Sequence, residues 1–199
     1  MKIRPLSIED AYEVTPVQHG DPRGLFLEWY RIDQLAEMVG HPLHLAQANL
    51  STSAAGVVRG IHFADVPPGQ AKYITCPRGA VLDVVVDLRV GSPTFGRWDA
   101  TRLDDTDRRA VYVGEGLGHG FCSLTPDAVL VYLCSTGYDP AVEHTLHPMD
   151  PALGIPWPSP RPVLSARDAA APGLDAVRQA GLLPDYGQCR RYVESLRVR

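Results

Sequence analysis

No apolar run in this 199-residue chain approaches the roughly 20 residues that a membrane-crossing helix needs. The opening Met1-Lys2-Ile3-Arg4-Pro5-Leu6 also lacks the apolar core of a secretory signal. The expectation is therefore a cytoplasmic protein with no membrane partner. Positive charge is not in excess: the net charge of −4 argues against non-specific nucleic-acid binding, so an anionic ligand would have to be held by a local group of Arg and Lys. Cysteine is sparse, and Cys76, Cys122, Cys134 and Cys189 have no metal-type spacing. The first three lie in strand-like apolar contexts, where a small buried hydrophobe is the usual role; a Cys122–Cys134 bridge would be out of place in a reducing compartment. Internal repeats and low-complexity tails are absent. With 45% hydrophobic and 21% charged residues, the length suits one domain, residues 1–199, with a substantial core.

What is present is mostly strand signal. Two short strands flank the turn Gln18-His19-Gly20-Asp21-Pro22-Arg23-Gly24, and one helical pattern follows over residues 32–39, with Gly40 as its stop. From His44 onward short β-type runs recur near residues 45–53, 57–63, 71–76, 80–88, 98–103, 110–113, 120–124 and 129–135. That cadence predicts a mainly β sandwich or barrel, its core spanning about residues 12–140. A Pro-rich segment, 148–162, reads as an extended wrap, and residues 176–183 and 190–196 as short terminal helices.

Residues 57–89 carry the densest mixture of apolar strand residues and reactive side chains. Arg59, His62, Lys72, Asp83 and Asp87 sit among residues that favour burial, and burying ionisable groups is costly unless they are paired or hold a ligand. The plainer alternative is a solvated sheet face with ordinary salt bridges. Leu82, Val84, Val86 and Leu88 alternate with Asp83, Val85 and Asp87, a period of two that gives one packing face and one bearing carboxylates. Arg59 and His62 differ in parity, so a regular strand points them apart; a bulge at Gly60 is the condition for both to reach one cavity.

Asp21-Pro22-Arg23-Gly24-Leu25-Phe26-Leu27-Glu28, Gln47-Ala48-Asn49, Val58-Arg59-Gly60-Ile61-His62, Gln70-Ala71-Lys72-Tyr73, Asp83-Val84-Val85-Val86-Asp87-Leu88-Arg89 and Gly91-Ser92-Pro93-Thr94-Phe95-Gly96 occur in that order. Gly116-Leu117-Gly118-His119-Gly120-Phe121, Tyr132, Tyr138, Asp150-Pro151-Ala152-Leu153-Gly154-Ile155 and Leu164-Ser165-Ala166-Arg167-Asp168 follow. In this ordered set the sequence resembles the dTDP-4-dehydrorhamnose 3,5-epimerase family, over roughly residues 12–168. The resemblance implies a cupin-type jelly-roll barrel, a homodimer, and a cofactor-free epimerase acting on a dTDP-4-keto-6-deoxysugar.

Epimerisation beside a ketone requires a base, a partner for the enolate oxygen and an acid on the other face of the ring. Carried over at matching positions, His62 is the base, Asp168 fixes its tautomer, Lys72 places a cation beside the C4 oxygen and Tyr132 is the acid. The resemblance further implies that Arg59 and His119 approach the phosphates, that Gln47, Asn49 and Tyr138 help hold thymidine and phosphate, and that Arg23, Phe26 and Glu28 arrive from the neighbouring subunit. Taken singly, each has an ordinary reading: Tyr132 as a strand-edge residue, His62 as a satisfied core group, Asp168 as a helix cap.

Two other classes compete. Metal-binding cupins use a His-x-His motif with a carboxylate; here Ala64 follows His62 at the second His position and Lys72 replaces the carboxylate, so no metal is expected. His144-Thr145-Leu146-His147 after Glu143 reads as solvated surface. A binding module without chemistry predicts loss of the base, lysine or acid, and all three are present. Departures also occur: Ala64 stands where the double epimerases commonly carry Gln, and Gly114 where proline is common. They point by analogy to a secondary-metabolism branch. The family pattern favours inversion at both C3 and C5, with inversion at one centre alone as the alternative.

Overall fold

The computed structural model describes residues 1–197. Strands β1 (Lys2–Pro5), β2 (Ala11–Thr15), β10 (Ala110–Val113), β7 (Lys72–Arg78), β12 (Ala128–Cys134) and β5 (Gln47–Ser53) form one sheet, in the order β1-β2-β10-β7-β12-β5. A second sheet runs β13-β6-β11-β8-β9, built from β13 (Glu143–Thr145), β6 (Val58–Ala64), β11 (Leu117–Ser123), β8 (Ala80–Asp87) and β9 (Trp98–Asp104). The strands β3 (Gln18–Asp21) and β4 (Gly24–Leu27) form a separate two-stranded hairpin. The ladders are antiparallel throughout both sheets. Two facing antiparallel sheets of this order make the cupin-type jelly roll that the strand cadence and the family resemblance predict.

The alternation along each strand sorts the core into layers. Ile74, Cys76, Val81, Val85, Leu117, Phe121 and Leu130 meet between the sheets. Val84, Val86, Leu88, Ile61 and Phe63 face outward from the smaller sheet, where Leu146, Leu153, Ile155, Trp157, Leu174 and Val177 cover them. Leu153, Ile155 and Trp157 come from the Pro-rich wrap and Leu174 and Val177 from the chain after it; Trp157 anchors the wrap by donating its indole N–H to the Pro148 carbonyl at 2.8 Å. On the larger sheet's outer face, Val14, Tyr73, Tyr112 and Leu133 pack under Leu35 and Val39 of α1 (Ile32–Val39). Both sheets are thus covered on their outer faces, which explains why β8 is apolar at both parities apart from its two aspartates.

The C-terminal helices differ from expectation in extent. After α2 (Ala166–Ala169), α3 covers Leu174–Gln179 rather than 176–183, because Ala180 caps it and Gly181 turns left-handed at φ 68°. The last helix, α4 (Tyr186–Arg197), begins a turn earlier than 190, and that turn already buries Cys189. β1 and β13 are short edge strands that the strand pattern does not mark; β13 takes up part of the His144–His147 stretch expected as solvated surface, where His144 pairs with Asp65 at 2.8 Å and Leu146 is fully buried. No helix among the described residues is long and apolar enough to cross a membrane.

Candidate active site

Parity decides which polar residues face the cavity between the sheets. On β11, Leu117 and Phe121 belong to the inner core, so His119 between them also points inward. His119 lies opposite His62 on β6, and Phe121 lies opposite Arg59. Two steps on β11 therefore face three on β6, which is the bulge needed for Arg59 and His62 to share a face. Gly60 makes it feasible: at φ 121° a Cβ would sit 2.6 Å from Gly120 Cα and 2.7 Å from the His119 carbonyl oxygen.

The opposite wall follows the same rule. Ile74 and Cys76 are inward on β7, hence so is Lys72; Leu130 is inward on β12, hence so are Tyr132 and Cys134. Asn49 lies opposite Tyr132 and Gln47 opposite Cys134, which brings both amides to the same face. Gln47 donates to Asn49 Oδ1 at 2.8 Å and accepts the Tyr138 backbone N–H at 2.8 Å, which ties the loop after β12 to the cavity rim.

Asp168 reaches the cavity from α2. Ser165 caps that helix, its hydroxyl accepting the Asp168 backbone N–H at 3.0 Å, so Asp168 sits inside the first turn and is not itself the cap. Its Oδ1 lies 2.9 Å from His62 Nε2, leaving Nδ1 as the free ring nitrogen. Burial alone would raise the Asp168 carboxyl, but the hydrogen bond and charge of His62, together with Ser165 and the Gly60 backbone, hold it below the usual carboxylate range. Asp168 is 4% exposed and the His62 side chain 37%, an orienting group behind an accessible imidazole.

Lys72 is buried and makes no ion pair among the described residues. Desolvation pushes its ammonium down, against the opposing fields of Cys134, Glu143 and Asp83. Burial keeps the Tyr132 phenol above its ordinary value, with Arg59 opposing, so it holds its proton at neutral pH. A second imidazole–carboxylate pair lies inside: His119 Nε2 is 2.7 Å from Asp83 Oδ2, both buried.

At the rim, Arg59 bonds neutral acceptors among the described residues, Ser53 Oγ at 3.2 Å and the Thr52 carbonyl at 3.4 Å. Arg167 likewise donates to the Tyr138 hydroxyl at 3.2 Å. Neither guanidinium has a carboxylate partner among the described residues, which leaves two cations suited to a diphosphate.

The register thus turns Arg59, His62, Lys72, Tyr132, His119, Gln47 and Asn49 toward the space between the sheets, with Asp168 held against His62 and Tyr138 tied to Gln47 at its edge. It does not bring Arg23, Phe26 or Glu28 there. Arg23 pairs with Asp21 and Glu28 with Arg31, while Phe26 is 67% exposed. Trp29, just beyond β4, packs on Tyr73 on the larger sheet's outer face. Of the two carboxylates that the period of two on β8 singles out, Asp83 pairs with His119, whereas Asp87 is taken up by Arg89, Ser92 and Thr94; Glu143, Gln70, Cys134 and Arg167 were given no role, and only the folded register reveals them.

The family model for dTDP-4-dehydrorhamnose 3,5-epimerase matches residues 5–176. A dTDP-4-dehydrorhamnose 3-epimerase of Streptomyces niveus is 63% identical over 96% of this chain and 92% of its own length. A dTDP-4-dehydrorhamnose 3,5-epimerase of Mycolicibacterium smegmatis is 56% identical over 99% and 98%. The crystal structure of ChmJ, a 3'-monoepimerase from Streptomyces bikiniensis in complex with dTDP-quinovose, superposes with a TM-score of 0.95 at 50% identity, covering 98% of this chain and 99% of that one. Sequence matched almost end to end and a backbone that superposes to this degree agree with the imidazole–carboxylate pair, buried lysine and facing tyrosine: the chain belongs to the dTDP-4-dehydrorhamnose 3,5-epimerase family.

Proposed function

We propose that the protein epimerises a dTDP-4-keto-6-deoxyhexose at carbon beside the ketone, without a metal or organic cofactor. What supports this reading is His62, backed by Asp168 at 2.9 Å, on one sheet and Tyr132 on the other, both at inward-facing strand positions. His62 Nδ1 removes the C–H proton as the electron pair moves to the C4 oxygen beside Lys72. Tyr132 then gives its proton to the opposite face, and exchange with solvent resets both groups. Arg59 and Arg167 hold the diphosphate, with His119 reaching it through its remaining ring nitrogen, and Gln47, Asn49 and Tyr138 frame the nucleotide.

The 3-epimerases and 3,5-epimerases among the relatives have inversion at C3 in common. Inversion at both C3 and C5 is the first reading; C3 alone is the second, favoured by the 63% identity to a 3-epimerase. Incubation with dTDP-4-keto-6-deoxyglucose in heavy water tests both: deuterium at C3 and C5 marks a double epimerase, deuterium at C3 alone a single one. His62→Ala abolishes incorporation and Asp168→Asn weakens it strongly, since a misoriented tautomer keeps the group without its function. Near-normal exchange in a folded His62→Ala protein would rule out His62 as the base.

We further propose a homodimer in which the β3–β4 hairpin delivers Arg23 and Phe26, with Glu28 just beyond it, to the partner's cavity. An isolated hairpin is marginal in water, and Val17, Leu25 and Phe26 stand exposed on it or beside it. A cavity of about 260 Å³ lined by Leu27, Trp29, Pro77 and Val131 adjoins it.

A further inference from the structure

The isolation of Lys72 in a crowded site has an identifiable cause. Two carboxylates act on this buried ammonium, Glu143 and Asp83, yet neither pairs with it among the described residues. Each has an oxygen engaged elsewhere: Asp83 Oδ2 with His119 at 2.7 Å, its Oδ1 lying buried with no hydrogen-bond partner among the described residues, and Glu143 Oε1 with the side-chain amide of Gln70 at 3.1 Å. Gln70 is itself held in place. Its amide also reaches the Thr136 carbonyl at 3.4 Å. Its neighbours are pinned to the end of β12, Gly69 by the Thr136 hydroxyl at 2.9 Å and Ala71 by the Ser135 hydroxyl at 2.8 Å. Opposite Glu143 on β6 stands Ala64, whose methyl group offers no alternative hydrogen bond.

We propose that Gln70 is a positioning residue that holds the Glu143 carboxylate off Lys72, leaving the Lys72 ammonium free for the oxygen of the substrate ketone. The chemistry is competition for one cation. A buried ammonium with no anion beside it stabilises a developing enolate strongly, whereas one already paired to a carboxylate has most of its field cancelled before the reaction starts. Releasing Glu143 from Gln70 lets it relax onto Lys72 and spend that charge in the ground state. This inference rests on Lys72 acting at the ketone oxygen, as proposed above.

The test is a double-mutant cycle on the full-length enzyme with dTDP-4-keto-6-deoxyglucose, using Gln70→Leu, Glu143→Gln and the double variant. Gln70→Leu lowers kcat on the order of 10- to 100-fold with a smaller change in KM, part of the loss expected on removing one oxyanion partner. The alkaline limb of its kcat profile moves to higher pH, because a paired lysine holds its proton more tightly. In the Glu143→Gln background, adding Gln70→Leu has little further effect on kcat, since no negative charge remains to fall on Lys72. Losses that multiply across the cycle, or a Gln70→Leu profile with an unmoved alkaline limb, overturn the proposal and leave Gln70 as a structural residue. A wild-type enzyme that fails to turn over this substrate would instead count against the functional reading, so the two failures are distinguishable.

Discussion

At the scale of single residues, proton removal and proton return are assigned to different walls, and this makes them separable. Tyr132 lies on β12 and His62 on β6, in different sheets. If Tyr132 is the acid and His62 the base, Tyr132→Phe leaves deuterium from heavy water still entering the sugar, returned by His62 to the face it left. Inverted product falls by about 100-fold or more, the range for loss of a general acid. Inversion at the wild-type rate in this variant would exclude Tyr132 as the donor. His62, Lys72 and Asp168 were legible from the motifs around them and Tyr132 from its place in the ordered set, but the roles of Glu143 and Gln70 were not: one lies on a three-residue edge strand and the other in a loop, where no periodicity marks a functional face.

At the scale of elements, the turn between β10 and β11 buries a carboxylic acid that the proposed mechanism does not use. Glu115 is 3% exposed, with one carboxylate oxygen lacking a partner among the described residues, and it lies against Gly69 beside Tyr192 of α4. Burial, reinforced by Asp10, pushes its pKa up to about 7 from 4.5. An acid whose folded pKa exceeds its unfolded one costs nothing while both states are protonated. Its penalty grows as pH rises from 4.5 and is complete above about 7. Glu115→Gln therefore stabilises the protein at pH 8, by up to about 3 kcal/mol, and has little effect at pH 4.5. Thermal melts of both proteins across that range check this; a parallel pH dependence in the two would mean that Glu115 is not the responsible group.

At the scale of the whole molecule, the projecting β3–β4 hairpin and the exposed Leu50, 68% accessible on the outer face of β5, are surfaces that a second copy would cover. Sedimentation is expected to give twice the 21.7 kDa of one chain. If the hairpin serves the partner's cavity, Arg23→Ala and His62→Ala damage different subunits' sites. Mixing the two impaired proteins under exchanging conditions then regenerates about a quarter of wild-type activity, since half the dimers are mixed and half their sites are intact. No recovery from a mixture verified to contain hybrid dimers would place Arg23 in its own subunit's site or outside it.

The division between sequence and fold runs along the same residues. Alternation over Ala80–Asp87 and the motif order from Asp21 to Asp168 determined by themselves the strand-rich class, the family and the four catalytic candidates, because period and local side-chain chemistry are properties of contiguous residues. The sequence stated the Gly60 bulge only as a condition. Its presence depends on how β6 lies against β11, where Gly120 leaves room for no Cβ. The commitment of Asp83 to His119 and of Glu143 to Gln70, across 36 and 73 residues of chain, was decided by tertiary structure alone. Which carboxylate neutralises which cation depends on distances of a few ångströms between strands remote in sequence, and no local pattern encodes them.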